Sequence, residues 1–487
     1  MKAMEERKGL RWTGHPVIDM GVAAVTVSAG VDRPEEVTIA HWIELMNKLE
    51  ELYTKGVLAK HSSILLTINA FDNPSLKKYP EKRSAIIKDT FALAKGEGRT
   101  FENYCAFFTD HLAVDRVSRD KVPLIHGQGS MNFYPQGVPG ISISALALGS
   151  ILAIPLATPI ISGRLMIVAM DDTDSLLDLC DQWYKDLKSE FAKISLNEGA
   201  LKDRKAPRSR LIDSLEAIFH SPDSKNFSRD VYTGVTLYHL SNVGNGPNVT
   251  IYYILPHVYR FIARANAARY RKVWQALTNA FWLSDKGKAT GQVPSEEIRL
   301  LSKNLVFESL SSLPAQSSTF IRRFFLRYVM HRTGLTAKVK EVEDIDLWTL
   351  VELFLNEIMT MKKERISKIR ELADELADEI YENNDKKLYR QLMGTTGGYD
   401  SYKVFRQILL RTLQERLRRK GELLLTLDDY LLLFEVGEEY PEANWHLVRD
   451  LVRIRCLESL HGKSYFTEQA ADLLEEEMPE ISDLADN

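Results

Sequence analysis

HGQGSMNFYPQGVPGISISALALGSILAIPLATPIISGRLMIVAMDD, residues 126–172, decides how the rest of the chain is read. It opens on a loop crowded with glycine, amide and aromatic residues, among them Gln128, Asn132, Phe133, Tyr134 and Gln136. Asn and Gln hydrogen-bond base edges and aromatic rings stack on bases, so such a loop fits a recognition surface. The same composition also suits a turn-rich connection that seals a core helix. From 138 to 163 the stretch holds no charged residue. Crossing a bilayer takes about 20 apolar residues, so a membrane span has to be weighed. Pro155 and Pro159 interrupt the run, Ser142, Ser144, Ser150 and Thr158 dilute it, and no aromatic anchors flank it. It reads instead as soluble core: a buried helix over 143–154, a proline-marked turn and a buried strand over 160–170.

Around this stretch lie 487 residues, 45% hydrophobic and 27% charged, an ordinary globular composition with room for two or three domains. The formal net charge of −4 speaks against a uniformly basic nucleic-acid binder, so any such role must rest on local charge. Cys105, Cys180 and Cys456 form neither a zinc spacing nor a disulfide framework, which suits a reducing cytosol. The first residues, MKAMEERKGLRW, carry acids and no apolar segment, so no secretory signal is expected.

Upstream, Pro16 suits the first turn of a helix and Gly30 its end. Trp42, Met46, Leu49 and Tyr53 share a helical face that stops at Gly56. Residues 63–71 read as a short strand, and 81–95 and 102–114 as helices. Downstream, alternation over 231–240 and 249–255 around Asn242-Val243-Gly244-Asn245-Gly246-Pro247 predicts a β-hairpin. After Pro256 the pattern is almost wholly helical, with glycine breaks at 394–398, 421 and 437. The tail from Thr467 holds eight acids and no bases, a composition of partial disorder. The expected class is α+β: an irregular mixed N-terminal domain over 1–340, an all-α helical bundle over 341–466 and an acidic tail over 467–487.

Charge is segregated along the chain. Between 258 and 340, fifteen Lys and Arg stand against four acids, a formal +11, so the remainder carries −15. Aromatics interleave with these bases, as in Tyr259-Arg260-Phe261 and Arg323-Phe324-Phe325-Leu326-Arg327-Tyr328. Arg260, Arg264 and Arg271 fall near one helical face and Arg323 and Arg327 on another, a stripe suited to a phosphate backbone. The loop Lys202-Asp203-Arg204-Lys205-Ala206-Pro207-Arg208-Ser209-Arg210 adds to it. The alternative is a solvated face whose arginines pair with acids elsewhere. No Walker loop, GxGxxG, HExxH or GxSxG occurs. Asp171, Asp172 and Asp174 are the one group suited to a divalent metal, and Asp172 or Thr173 as a helix cap accounts for them as well.

In this order the features resemble the large subunit of the type I CRISPR interference complex, Cascade, closest to the subtype I-B and I-A branch. The residues carrying the resemblance are Thr13-Gly14-His15-Pro16 with Asp19 and Gly21, Asn132-Phe133-Tyr134-Pro135, and the buried run ending Ser162-Gly163-Arg164 before Asp171-Asp172. The resemblance implies a cytoplasmic, non-enzymatic subunit without metal or other cofactor. Guide pairing reads sequence in such complexes, while protein reads a short adjacent motif on duplex DNA. Implied partners are CRISPR RNA, target double-stranded DNA and its displaced strand, the backbone subunits, the subunit at the 5′ end of the RNA, and the helicase-nuclease. Motif reading falls to Gln128, Asn132, Tyr134 and Gln136 by residue type. Arg260, Arg264, Arg271, Arg323, Arg327, Lys362 and Lys363 are the candidates for the nucleic-acid backbone. Some relatives make a small subunit from the same gene by internal translation, and Met359 and Met361 sit near the start of that region. The rival reading is a nucleic-acid-processing enzyme with a divergent metal site at Asp171–Asp174, and a third is a scaffold that binds only proteins.

Overall fold

Pro16 opens α1, Pro16–Ala29, where a missing N–H costs nothing, and Gly30 closes it in the left-handed region. The turn before it is held by Asp19, whose carboxylate accepts from the Thr13 and Gly14 N–H groups and from the Thr13 hydroxyl at 2.7–2.8 Å. The computed structural model describes residues 9–67, 79–98, 100–125, 140–220, 232–243, 248–283, 294–330, 346–394, 401–421, 423–434 and 441–469, with Phe71 and Leu473. They divide into two compact units, Met1–Pro256 and His257–Asn487.

In the first unit α1 is apolar on nearly every side and buried accordingly, from Val17 to Thr26. It crosses α5, Ala145–Ala153, so closely that a Cβ on Gly21 would lie 2.1 Å from the Ser150 carbonyl oxygen. Residues 143–161 of the uncharged run thus lie in a protein core, and among the described residues no helix is long and apolar enough to cross a membrane. Around this crossing pack α2, Ile39–Thr54, capped by Thr38, and α4, Pro80–Lys95. The Trp42 indole donates to the Ala94 carbonyl and the Tyr53 hydroxyl to that of Leu152. The short α3, Ala59–Leu65, replaces the first residues of the strand expected over 63–71.

Residues 102–114 are not the expected helix either. Their backbone folds back on itself: Cys105 N donates to His111 O, Ala113 N to Asn103 O and Phe101 N to Ala113 O. No apolar stripe of helical period was there to outweigh these local pairings. The short strand β1, Asp115–Val117, then pairs antiparallel with β2, Ile141–Ile143.

After α5 a 3-10 turn carries Pro155, and the chain enters a four-stranded antiparallel sheet in the order β3-β4-β5-β6. Its strands are Ile160–Ile161, Arg164–Met170, Val235–Ser241 and Asn248–Ile254. Ser162 and Gly163 both have positive φ, the geometry of a tight hairpin turn, so the strand expected over 160–170 is two strands. The second hairpin, β5–β6, is as read from the sequence, with Ser241 opposite Asn248 and Val235 opposite Ile254. Between β4 and β5 run α6, Thr173–Ser195, and α7, Pro207–His220.

The second unit is helical. It begins with α8, Pro256–Ala265, and α9, Ala268–Ala280. The short α10, Glu296–Leu301, and α11, Leu305–Leu310, follow, and then α12, Ser317–Phe320, which runs into a π-helical turn, Ile321–Leu326. The remaining helices among the described residues are α13, Leu347–Glu357; α14, Lys363–Asn383; α15, Lys386–Met393; α16, Tyr402–Lys420; α17, Leu427–Phe434; α18, Pro441–Gly462; and the short α19, Tyr465–Glu468. The apolar residues that recur at helical spacing along them are buried, among them Val351, Phe354, Ile369, Leu376, Ile408 and Leu451. The break between α14 and α15 was missed. There Asn384 takes the left-handed conformation that a glycine would otherwise mark.

The boundary expected near 340 falls at Pro256 instead. Phe354 of α13 stacks on Phe320 and meets Phe261 and Phe325 edge-on, so the helices before 340 and those after it share one core. Together the units bear out an α+β chain that ends in a helical region.

Candidate nucleic-acid interface

Gln128, Asn132, Tyr134 and Gln136 lie in 126–139, outside the described residues. β1, ending at Val117, and β2, starting at Ile141, pair with each other on either side of that segment. Gly140 makes this possible: its φ is +87°, and a Cβ there would lie 2.6 Å from the Val117 carbonyl oxygen. Nearby, Arg119 is committed to the protein itself, its guanidinium donating to the Asn242 side chain at 3.0 Å and main-chain carbonyl at 2.6 Å.

The arginine stripe divides into two groups. Arg260 and Arg264 of α8 both bond the carboxylate of Glu357 on α13, which is only 7% exposed. For these two the alternative reading holds, since an acid about 95 residues away takes up both guanidiniums. Arg271 turns back to the Asn266 carbonyl and covers the end of α8. Arg322 pairs with Asp450. Arg323 and Arg327 lie one turn apart at the π-helical segment, and burial together with the Arg327 charge lowers the Arg323 pKa. A π-helical turn is rare and concentrates at functional sites. Lys362 and Lys363 are exposed at the start of α14, where cations oppose the helix dipole.

The interleaved aromatics are not a stacking surface. Tyr259, Phe261, Phe324 and Phe325 are fully or almost fully buried, with Phe261 edge-on to Trp274 and Phe281 edge-on to Phe324. Alternating basic and aromatic residues here mark the rim of an amphipathic helix, charge outward and rings inward. Over 202–210, whose last four residues open α7, Arg204 pairs with the buried Glu190 and Arg210 with Asp213, while Lys202 and Lys205 are exposed.

The basic residues of α16 also meet acids, on α14: Arg416 with Glu375, Arg419 with Glu379 and Lys420 with Glu382. Beside this zipper lies a surface cleft of about 630 Å³ whose lining includes Lys386, Lys387, Arg418 and Arg419. Lys386 and Lys387 escaped the sequence reading because they join Arg418 only through the α14–α15 turn. Among the described residues of the second unit, cations gather at this cleft, which Asp385 and Glu415 also line, at the Arg323–Arg327 pair and around Asp450.

The acids at 171–174 have structural work. Asp171 accepts from the Gly234 N–H at 3.0 Å, and Asp172 caps α6 by accepting from Ser175 N at 2.9 Å. No group of three metal-ligating side chains occurs among the described residues. His15 precedes α1, its ring edge-on to Phe107, and burial lowers its pKa.

Further along α6, Asp178 is pushed up to about 6, first by burial and then by Asp181, Asp174 and Asp172. Its folded pKa lies above the ordinary 3.8, so the folded state holds the proton more tightly and loses stability as pH rises from about 4 through 6. Replacing it with asparagine is therefore expected to stabilise the first unit at pH 7 by about 1–2 kcal/mol, discounted for partial exposure. Thermal melts from pH 7 to pH 4 should show the gain vanish on acidification, and a pH-independent gain would contradict this origin. The buried His61 has the opposite slope. Held neutral with a pKa of about 3, it contributes stability that is lost as pH falls below 6.5, equally in both proteins.

Compared with known proteins, the chain matches no family model, no curated protein and no solved structure.

Proposed function

We propose that the chain is the large subunit of a type I CRISPR RNA-guided surveillance complex, acting in the cytoplasm. In this reading it recognises a short motif on duplex DNA, promotes strand separation and R-loop formation, and helps recruit a helicase-nuclease. The observation that carries the proposal is the charge segregation, +11 over 258–340 in a chain of net −4, with Arg323 one turn from Arg327, where burial and then the Arg327 charge disfavour its own charge. Nucleic-acid phosphates would relieve that repulsion by supplying closely spaced anions. Motif reading is assigned by residue type to Gln128, Asn132, Tyr134 and Gln136, in the segment between β1 and β2. Arg260 and Arg264 contribute less than expected, because Glu357 neutralises one charge of the two.

An internally translated small subunit starting at Met359 or Met361 would begin in the link between α13 and α14. It would lack α13, whose Leu350, Val351 and Phe354 are fully buried, and so would need another surface in that place.

The proposal is tested by co-expressing the chain with backbone subunits and a CRISPR RNA, and measuring duplex binding of the purified assembly against salt. Replacing Arg323 and Arg327 together by alanine is expected to flatten the logarithmic salt slope by about 1.8, two contacts at roughly 0.9 each. Affinity should fall alike for targets with and without the adjacent motif, since phosphate contacts carry no sequence information. An unchanged slope with a lower melting temperature would make the pair structural. Failure of the chain to enter any RNA-containing assembly would sink the larger reading.

A further inference from the structure

The outer edge of β6 carries none of the devices that normally keep a sheet edge from pairing. Its seven residues, Asn-Val-Thr-Ile-Tyr-Tyr-Ile, contain no charge, proline or glycine, and they pair with β5 in an unbroken register without a bulge. Proteins usually blunt such edges with lysine, proline or a bulge, because an unprotected one recruits another strand. Among the described residues β6 pairs with β5 alone.

Side chains alternate across a strand, so β6 presents two different faces. Val249, Ile251 and Tyr253 point to one of them and are 39%, 40% and 58% exposed, an apolar row on a terminal strand. Thr250 and Tyr252 point to the other, and both meet arginines. Arg164 donates to the Thr250 hydroxyl at 3.2 Å, and the Arg208 guanidinium sits 5.1 Å from the Tyr252 ring centre. The edge is thus apolar on one side and cationic on the other.

We propose that β6 accepts an extended segment of a partner protein as a fifth strand, with apolar and acidic side chains alternating along it. Main-chain hydrogen bonds to β6 supply affinity, as in other strand additions. The apolar residues cover Val249, Ile251 and Tyr253, while the carboxylates face Arg164 and Arg208. Charge complementarity selects an acidic segment over a basic one. This inference does not depend on the nucleic-acid reading.

The test titrates the full chain with a fluorescein-labelled peptide of alternating glutamate and valine, and with its lysine–valine counterpart. The glutamate peptide is expected to bind at least about tenfold tighter, and Ile251→Lys, an exposed change, to weaken it by about tenfold, the equivalent of roughly 1.4 kcal/mol. Arg208→Glu should narrow or reverse the preference. It lies in the first turn of α7, where an acid suits the helix dipole, so the fold should survive the change. Hydrogen exchange should show the β6 amides protected only when the glutamate peptide is present. Three results would overturn the proposal: equal binding of both peptides, protection of the β6 amides by oligothymidylate and not by peptide, or self-association of the chain abolished by Ile251→Lys.

Discussion

Replacing Asp450 by alanine is expected to destabilise the second unit by about 3–5 kcal/mol, the cost of breaking a buried ion pair from one side. The Asp450 carboxylate is 4% exposed and is shared by three guanidiniums: Arg322 at 2.8 Å, Arg449 at 3.2 Å and Arg453 at 3.5 Å. Arg453, itself fully buried, also donates to the Leu392 and Gly394 carbonyls at the end of α15, so the cluster ties α18 to that turn. Without the carboxylate, Arg449 and Arg453 remain buried beside each other with no anion of their own helix between them. Asparagine, which keeps an acceptor and loses the charge, should cost less than alanine. Arg322 is 45% exposed, so its own removal should cost only about 1 kcal/mol or less. The Asp450→Ala and Arg322→Ala losses should then be less than additive in a double-mutant cycle read by urea unfolding. A loss below 1 kcal/mol for Asp450→Ala would show that the arginines are neutralised by other means.

Gly21→Ala should be nearly as damaging to the first unit. In the middle of an ordinary helix this change gains about 1 kcal/mol of helix propensity. Here the new Cβ would lie 2.1 Å from a backbone oxygen of α5, where contacts below 3.0 Å are essentially never seen. Because the obstacle is main chain, no rotamer change relieves it, and α1 must move from α5 by about 1 Å. Overpacking of this kind costs about 1–3 kcal/mol and occasionally more, and both helices are buried where they cross. With main chain as the obstacle, we expect a cost beyond that usual range, about 3–4 kcal/mol, which the propensity gain reduces to a net loss of about 2–3 kcal/mol. For a unit of this size that lowers the melting temperature by roughly 4–12 °C. Gly462→Ala at the end of α18, where the added Cβ meets nothing within 4 Å, should be neutral or mildly stabilising. Equal behaviour of the two variants would mean that α1 and α5 do not cross as closely as the structure has them.

Several residues that carried the family resemblance have plain structural work. Thr13, Gly14 and Asp19 form the turn that starts α1, Gly21 permits the helix crossing, and Ser162-Gly163 forms a hairpin turn. Their pattern therefore bears on the fold more directly than on the chemistry. The residues assigned to motif reading stand on residue type alone.

What the sequence determined by itself was whatever local physics decides. Pro16 and Gly30 delimit α1 because a ring without an N–H and a backbone without a Cβ act within one turn. The β5–β6 hairpin and the apolar faces of α13, α14 and α16 were legible because alternation and helical period repeat over several residues. Only the tertiary structure decided where the chain divides, since Phe354 finds Phe261 and Phe320 through space, across the segment where composition changes. It also decided which of the described bases meet an acid inside the protein. A sequence shows that Arg260, Arg264 and Arg323 are positive, but Glu357 meets the first two only after α8 and α13 pack together. Charge can be counted along a chain, whereas the cost of burying it depends on what the fold brings within about 4 Å.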